Sequence, residues 1–306
     1  MSIKRKIEAI GTPLKDWDIQ INYGIKTGYN DAFIISTEKR DEILSNCQTS
    51  DERHRTEELI RPILRGRDIK RYGYNWAELW LIATFPSKHY DIEEYPAVKR
   101  HLLSFAENDL RKARLNWVAD SHLADFCMQK LSQTGKLVVI NGQHIYISSS
   151  PEKARKKTNN KWFETQDSIS YWEDFFKQKI MYPNMTQFMP FYFDEKNFFQ
   201  NDKSFMIIGK NLGFLAAFLN SSLFKFCFTE NFPTLGEKGR ELRKIFFDKI
   251  PVIQVDEKTE KIFEKTVTDI QAEYTEEKEK KIDSMIFDLY KLTEQERDII
   301  DYIEMK

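Results

Sequence analysis

The sequence predicts an α+β fold, a mixed-sheet body followed by a helical C-terminal segment. Runs of alternating apolar and polar residues mark strands, clearest in WDIQINY (17–23) and AELWLIAT (77–84). No internal repeat orders them. Beyond residue 255 the composition turns acidic and the apolar residues recur at helical spacing.

In chain order, WDIQINYGIKTGYNDAFIIS reads as a strand over 17–23, a glycine-flanked loop over 24–30 and a strand over 32–36, together a hairpin-like unit. Residues 37–61 read as helical, then irregular, and 77–84 as a strand. Tyr95-Pro96 opens a long helix, with apolar positions at Val98, Leu102, Leu103, Phe105 and Leu110. KLVVINGQHIYIS (136–148) is a strand pair around an Asn-Gly turn, and 151–161 is a polar, basic loop. KSFMIIG (203–209) and KIPVIQV (249–255) are strands, and NLGFLAAFLNSSLFKFCF (211–228) is a helix buried on most sides. Ile282, Met285, Ile286 and Leu289 mark an amphipathic helix, and Thr293 with Glu296 forms a capping box for a last short one. A boundary near residue 255 then separates a body, 1–255, from a helical segment, 256–306.

Composition narrows the class. The chain has 306 residues, 41% hydrophobic and 14% aromatic, enough for a folded core. No run of about 18 apolar residues is present, so no membrane partner is expected. The start lacks the apolar stretch of a secretory signal, and the expected location is the cytoplasm. Cys47, Cys127 and Cys227 are widely spaced and read as reduced thiols. The net charge of −1 conceals a split: Asp256 to Lys306 holds 16 acids against 9 bases, which leaves the body 38 bases against 32 acids. A basic body favours an anionic partner.

Catalytic signatures are missing from the sequence. It contains no phosphate loop, no dinucleotide fingerprint around Gly24 and Gly28, and no nucleophile elbow. His122 and Cys127 are five apart with no second ligand pair, and Glu173 and Asp174 are adjacent and read as solvated.

Four patches suit binding instead. ELIRPILRGRDIKRYGY (58–74) carries Arg61, Arg65, Arg67, Lys70 and Arg71 against the single acid Asp68 within residues 61–73. GIKTGYN (24–30) offers Lys26, Thr27 and Asn30. YPNMTQFMP (182–190) offers Asn184, Thr186 and Gln187, and PTLGEKGRELRK (233–244) offers Lys238, Arg240, Arg243 and Lys244. Lys and Arg neutralise phosphates, whereas Asn, Gln, Arg and Lys on base edges choose sequence. Taken singly, such a patch is more often a solvated surface than a binding one.

As an ordered set, GIKTGYNDAFII, IRPILRGRDIKRYGYNW, YPAVKRHL, FLAAFLNSSL and KIDSMIFDLYKLTEQERDII resemble the TaqI-like C-terminal specificity domain. That domain belongs to type IIG restriction-modification enzymes and related adenine DNA methyltransferases. The resemblance runs from about Ile7 to the C-terminus. It implies a target-recognition domain that grips double-stranded DNA while a separate methyltransferase domain flips and methylates the adenine. S-adenosylmethionine is expected in that associated domain and no cofactor in this chain. The Asn-Pro-Pro-aromatic motif of the methyltransferases is missing from this sequence, as is a nuclease motif, so the chain is expected to be the recognition part and not an enzyme. Its expected partners are double-stranded DNA and a methyltransferase, with or without a nuclease, as domain or subunit.

The resemblance implies that Lys26, Thr27 and Asn30 lie near DNA. On charge, Arg65, Arg67, Lys70 and Arg71 meet the backbone, while Gly66 permits a turn and Tyr72 and Trp76 pack against the sheet. An alternative from another class is an interaction subunit whose acidic tail docks a catalytic partner without strong DNA binding of its own.

Overall fold

A computed structural model describes residues 2–112, 137–140, 143–146, 159–236 and 239–301. His122, Cys127, Lys238, the Asn-Gly turn at 141–142 and most of the loop 151–161 lie outside these described residues. The chain divides into two compact units. The first draws on three stretches, Met1–Gly24, Leu64–Ala77 and Glu173–Lys306, and the second on Ile25–Ile63 and Glu78–Trp172.

The first unit is built on an antiparallel sheet in the order Tyr192–Asp194, Lys179–Pro183, Ser204–Gly209, Ile19–Tyr23. Every residue of Lys179–Pro183 is buried, so this strand reads as a continuous run rather than an alternation. Its one cation is also enclosed: Lys179 Nζ donates to Asp194 Oδ2 at 2.6 Å and to the Phe175 carbonyl at 2.7 Å, and both ionic side chains are fully buried. Burial drives the Lys179 ammonium below its usual range, and Asp194 opposes that shift.

The strands over 17–23 and 32–36 do not form a hairpin. Ile19–Tyr23 pairs with Ser204–Gly209, whereas Ile34–Ser36 pairs with Leu79–Ile82, and a short helix, Asn30–Phe33, lies between them in sequence. Alternation identifies a strand but not its partner, and the Gly24 N–H is already taken by the Ser204 carbonyl at 2.9 Å.

The apolar segment 211–228 is two helices, Leu212–Asn220 and Ser222–Phe228, not one. All nine residues of the first are buried. Ser221 has extended backbone and its Oγ accepts the Phe224 N–H at 3.1 Å, so it caps the second helix and ends the first. Leu212–Asn220 and the stretch Ser222–Asn231 together reach the length and composition of a membrane span, but they bend by 67°, and among the described residues no single helix is long and apolar enough to cross a membrane. Glu260 accepts the N–H groups of Gly213 and Phe214 at 2.7 and 2.8 Å, which satisfies the opening turn of the first.

Three helices follow residue 255: Glu257–Ala272, Glu276–Leu289 and Glu294–Asp301. The first of them was not apparent from sequence periodicity, although Asp256 caps it through Thr259 N–H at 2.7 Å. The Thr293–Glu296 capping box forms in both directions, at 2.8 and 3.3 Å. Phe263, Val267, Ile270, Ile282, Ile286 and Tyr290 enter one core with the sheet and the apolar helices. The expected strand over 249–255 shortens to Pro251–Val252, paired with Thr12–Pro13.

In the second unit Leu79–Ile82 pairs antiparallel with Ile34–Ser36 and with Ile60–Leu64. Helices Thr37–Ser45, Ser50–Leu59 and Pro96–Lys112 belong to it, the last opening on its proline as the sequence predicts. Leu137–Ile140 and Gln143–Tyr146 form the expected strand pair, with Ile140 opposite Gln143.

Candidate nucleic-acid interface

The basic stretch folds as a short 3₁₀ turn, Gly66–Asp68, between the strand residues Leu64 and Ile69. Leu64 and Ile69 are buried and anchor it. Gly66 is required by a close approach and not by a left-handed turn. A Cβ there would lie 2.4 Å from the Lys203 carbonyl oxygen.

The cations of the stretch divide by role. Asp68, almost fully buried, accepts the Arg65 backbone N–H at 2.9 Å and the Arg65 guanidinium at 2.9 and 2.8 Å. That pairing makes Arg65 a brace for the turn. Arg71 is half-buried. It donates from Nε to the Asn220 carbonyl at 3.1 Å and from its terminal nitrogen to Glu279. Burial favours protonation of Glu279, but the Tyr274 hydroxyl and the Arg71 charge outweigh it and hold the carboxyl below its usual range. Arg67 and Lys70 are exposed, and Lys70 Nζ donates to the Arg67 carbonyl at 3.0 Å. Tyr72 and Trp76 pack into the apolar clusters of this unit, as the sequence implies.

A cleft of about 370 Å³ opens at this point within the first unit. Arg67, Lys70, Arg71 and Lys225 contribute its cations, and among the described residues lining it none is an acid. Met185, Thr186 and Phe188 line it too. Lys225 was not singled out by sequence reasoning, though a lone cation in LFKFCF is a visible anomaly. Burial, then the Arg71 charge, lowers the Lys225 ammonium to about 8, against the opposing pull of Glu279 and Asp283.

The patch at 182–190 joins the patch at 233–244 in a two-stranded ribbon, with Met185 opposite Glu241 and Thr186 opposite Arg240. Gly239 has φ +89°, and a Cβ there would stand 2.2 Å from the Thr186 carbonyl oxygen. The Asn184 backbone is held on both sides, donating to Lys203 and accepting from Leu242, each at 2.8 Å. Its side-chain Oδ1 is enclosed with no hydrogen-bond partner among the described residues. Gln187 is exposed. Arg240 is occupied, donating to the Phe232 carbonyl at 2.8 Å and to Glu230 at 2.5 Å, and Arg243 pairs with Glu241.

From Ile25 onward the loop 24–30 belongs to the second unit. Lys26 and Asn30 are exposed there, but Thr27 is buried. Its hydroxyl donates to Asn30 Oδ1 at 2.7 Å and accepts the Tyr29 N–H at 3.1 Å, which fixes the loop. Asp174, expected to be solvated, is buried and bonded to Asn22 at 3.0 Å and Lys177 at 2.8 Å. Among the described residues no group of three or more His, Cys, Asp or Glu is placed to hold a metal.

The family model described as the TaqI-like C-terminal specificity domain matches residues 61–252, from the basic stretch to the last strand of the body. The chain belongs to the TaqI-like C-terminal specificity domain family. The match takes in both halves of the cleft and the ribbon beside it. Two solved structures are similar. The type IIG restriction endonuclease BpuSI has 13% identity and a TM-score of 0.52, covering 88% of this chain and 28% of its own. The type IIL restriction-modification enzyme MmeI, solved in complex with DNA, has 14% identity and a TM-score of 0.48, covering 97% of this chain and 36% of its own. The chain therefore spans well under half the length of either. No curated protein sequence is a match for the chain. At this identity the BpuSI likeness is one of fold, and it extends the TaqI-like assignment to the α+β arrangement with its helical C-terminal segment.

Proposed function

We propose that this chain is a sequence-specific double-stranded DNA recognition module of a restriction-modification methyltransferase. Methyl transfer from S-adenosylmethionine, and any cleavage, belong in this reading to separate catalytic domains. The observation that carries it is the cleft with no acid among the described residues lining it, in which Arg67, Lys70, Lys225 and the Glu279-paired Arg71 stand beside a ribbon bearing Thr186 and next to the exposed Gln187. Membership of a specificity-domain family supplies the function to which such a cleft is suited.

Cations in a shallow cleft supply sequence-independent affinity through phosphates, whereas polar side chains on a rigid ribbon are placed to read base edges. Arg67 and Lys70 are the phosphate contacts in this reading. Arg65 supports the turn that presents them, and Arg71 lends charge from a fixed position. The test is selection of duplexes from a random-sequence pool by the purified 306-residue chain at low salt, followed by sequencing. Enrichment of a common site is expected. A chain that retains no duplex at low salt would sink the proposal.

A further inference from the structure

Phe188 is 57% exposed and Met185 44% exposed, and both line the cationic cleft. Isolated exposed apolar residues are ordinary on protein surfaces, so exposure alone decides nothing. The local backbone, however, is built to keep Phe188 outside. Thr186 Oγ1 accepts the Phe188 N–H at 3.0 Å, which closes the turn ahead of it. The next residue, Met189, has φ +47°, a left-handed conformation that a long side chain rarely adopts. Met189, Pro190 and Phe191 then run into the core. The chain thus turns through a strained residue, so that one large apolar group is buried and its neighbour is presented to the cleft.

We propose that Phe188 is a base-contacting wedge. Its ring partly unstacks a base step of a duplex whose phosphates meet Arg67 and Lys70, with Met185 covering the adjacent apolar surface. The inference rests on the DNA-recognition reading. Charge complementarity selects the occupant: a cleft lined by Arg67, Lys70, Lys225 and the Glu279-paired Arg71, with no acid among the described residues lining it, attracts a polyanion, and an aromatic ring at its edge then meets an apolar surface that DNA offers, the base faces. Such a wedge adds preference for easily unstacked steps at positions no side chain hydrogen-bonds.

The test uses the full chain and duplexes it selects from a random pool. Wild type, Phe188→Ala and Phe188→Leu are titrated against one selected duplex and against versions carrying a single abasic site at each position in turn. The wild type is expected to bind more tightly when the abasic site falls at the wedge position, because unstacking there is already done. Phe188→Ala is expected to bind the intact duplex about tenfold more weakly and to lose that positional gain, with Phe188→Leu intermediate. All three are expected to share one thermal midpoint, since the ring is outside the core. Equal affinity and an unchanged abasic profile for Phe188→Ala would overturn the wedge while leaving DNA recognition intact. Failure of the wild type to select any duplex would overturn both.

Discussion

The guanidinium of Arg71 donates to the carboxylate of Glu279, a contact between residues 208 apart in sequence. It ties the turn at 66–68 to the second C-terminal helix, and the Asn220 carbonyl completes the guanidinium's coordination. Glu279→Ala leaves a half-buried Arg71 beside Lys225 with Asp283 as the remaining counter-charge. Chemical denaturation should show a loss of about 1–3 kcal/mol. Affinity for duplex DNA at low salt should move the other way, because the cleft becomes more positive. The Glu279 carboxyl is held below its usual range. Its contribution to stability is therefore present at neutral pH and is lost as the pH falls through that lowered value.

Arg67 and Lys70 should behave as phosphate contacts. Arg67→Ala with Lys70→Ala is expected to weaken binding to all duplexes alike and to reduce the salt slope by about one to two. Arg65→Ala should differ. It strands the buried Asp68 carboxylate and lowers stability, with little change in slope. Measuring log Kd against log salt beside an unfolding curve distinguishes the two outcomes.

Lys225 is expected to make DNA binding pH-dependent. Its folded ammonium titrates near 8, below an ordinary lysine, so the unfolded chain holds more protons above that pH. Stability should accordingly rise from about pH 8 toward about pH 10.4, the ordinary lysine value. Phosphate favours the charged form, so DNA affinity should fall as the pH rises through the same value of about 8. Arg71, Glu279 and Asp283 are the charged groups that act on it. Lys225→Met should flatten the affinity profile between pH 7 and pH 9, approximate limits set by that titration. An equally steep profile in the variant would assign the dependence elsewhere.

Asn220 substitutes for a missing strand. Its side chain accepts the Phe191 N–H at 3.1 Å and donates to the Phe191 carbonyl at 2.8 Å while fully buried. Asn220→Ala leaves a buried N–H without a partner and is expected to cost about 1–3 kcal/mol by urea unfolding. The effect should be one of stability, with the salt slope retained.

Much of the fold was legible in the sequence because local rules act locally. The helix opening on Pro96, the Thr293–Glu296 box and the strand pair around residues 141–142 each follow from a few neighbouring residues. The errors were failures to infer partners at a distance. Alternation in WDIQINY marked a strand, but nothing in those residues points to Ser204–Gly209 as its neighbour. The break at Ser221 depends on a cap within a continuous apolar run, which periodicity alone passes over. For the candidate site, charge located Arg67 and Lys70 and polarity located Thr186. Arg65, Arg71 and Arg240 carry the same charge, and only the positions of Asp68, Glu279 and Glu230 show that they are engaged. Lys225 was overlooked because it sits in a stretch that reads as core, and Phe188 because its patch was read for its polar side chains.

The discontinuous make-up of the first unit bears on how the protein is made. During synthesis Ile19–Tyr23 emerges before its sheet neighbour Ser204–Gly209, which follows only after the entire second unit has been translated. At the usual pace of a ribosome that wait is on the order of ten to forty seconds. The second unit can therefore be complete while the first is still an open strand and a loose turn. An unpaired edge exposed for so long is where premature association would begin, and the charges of SIKRK ahead of it are well placed to keep nascent chains apart.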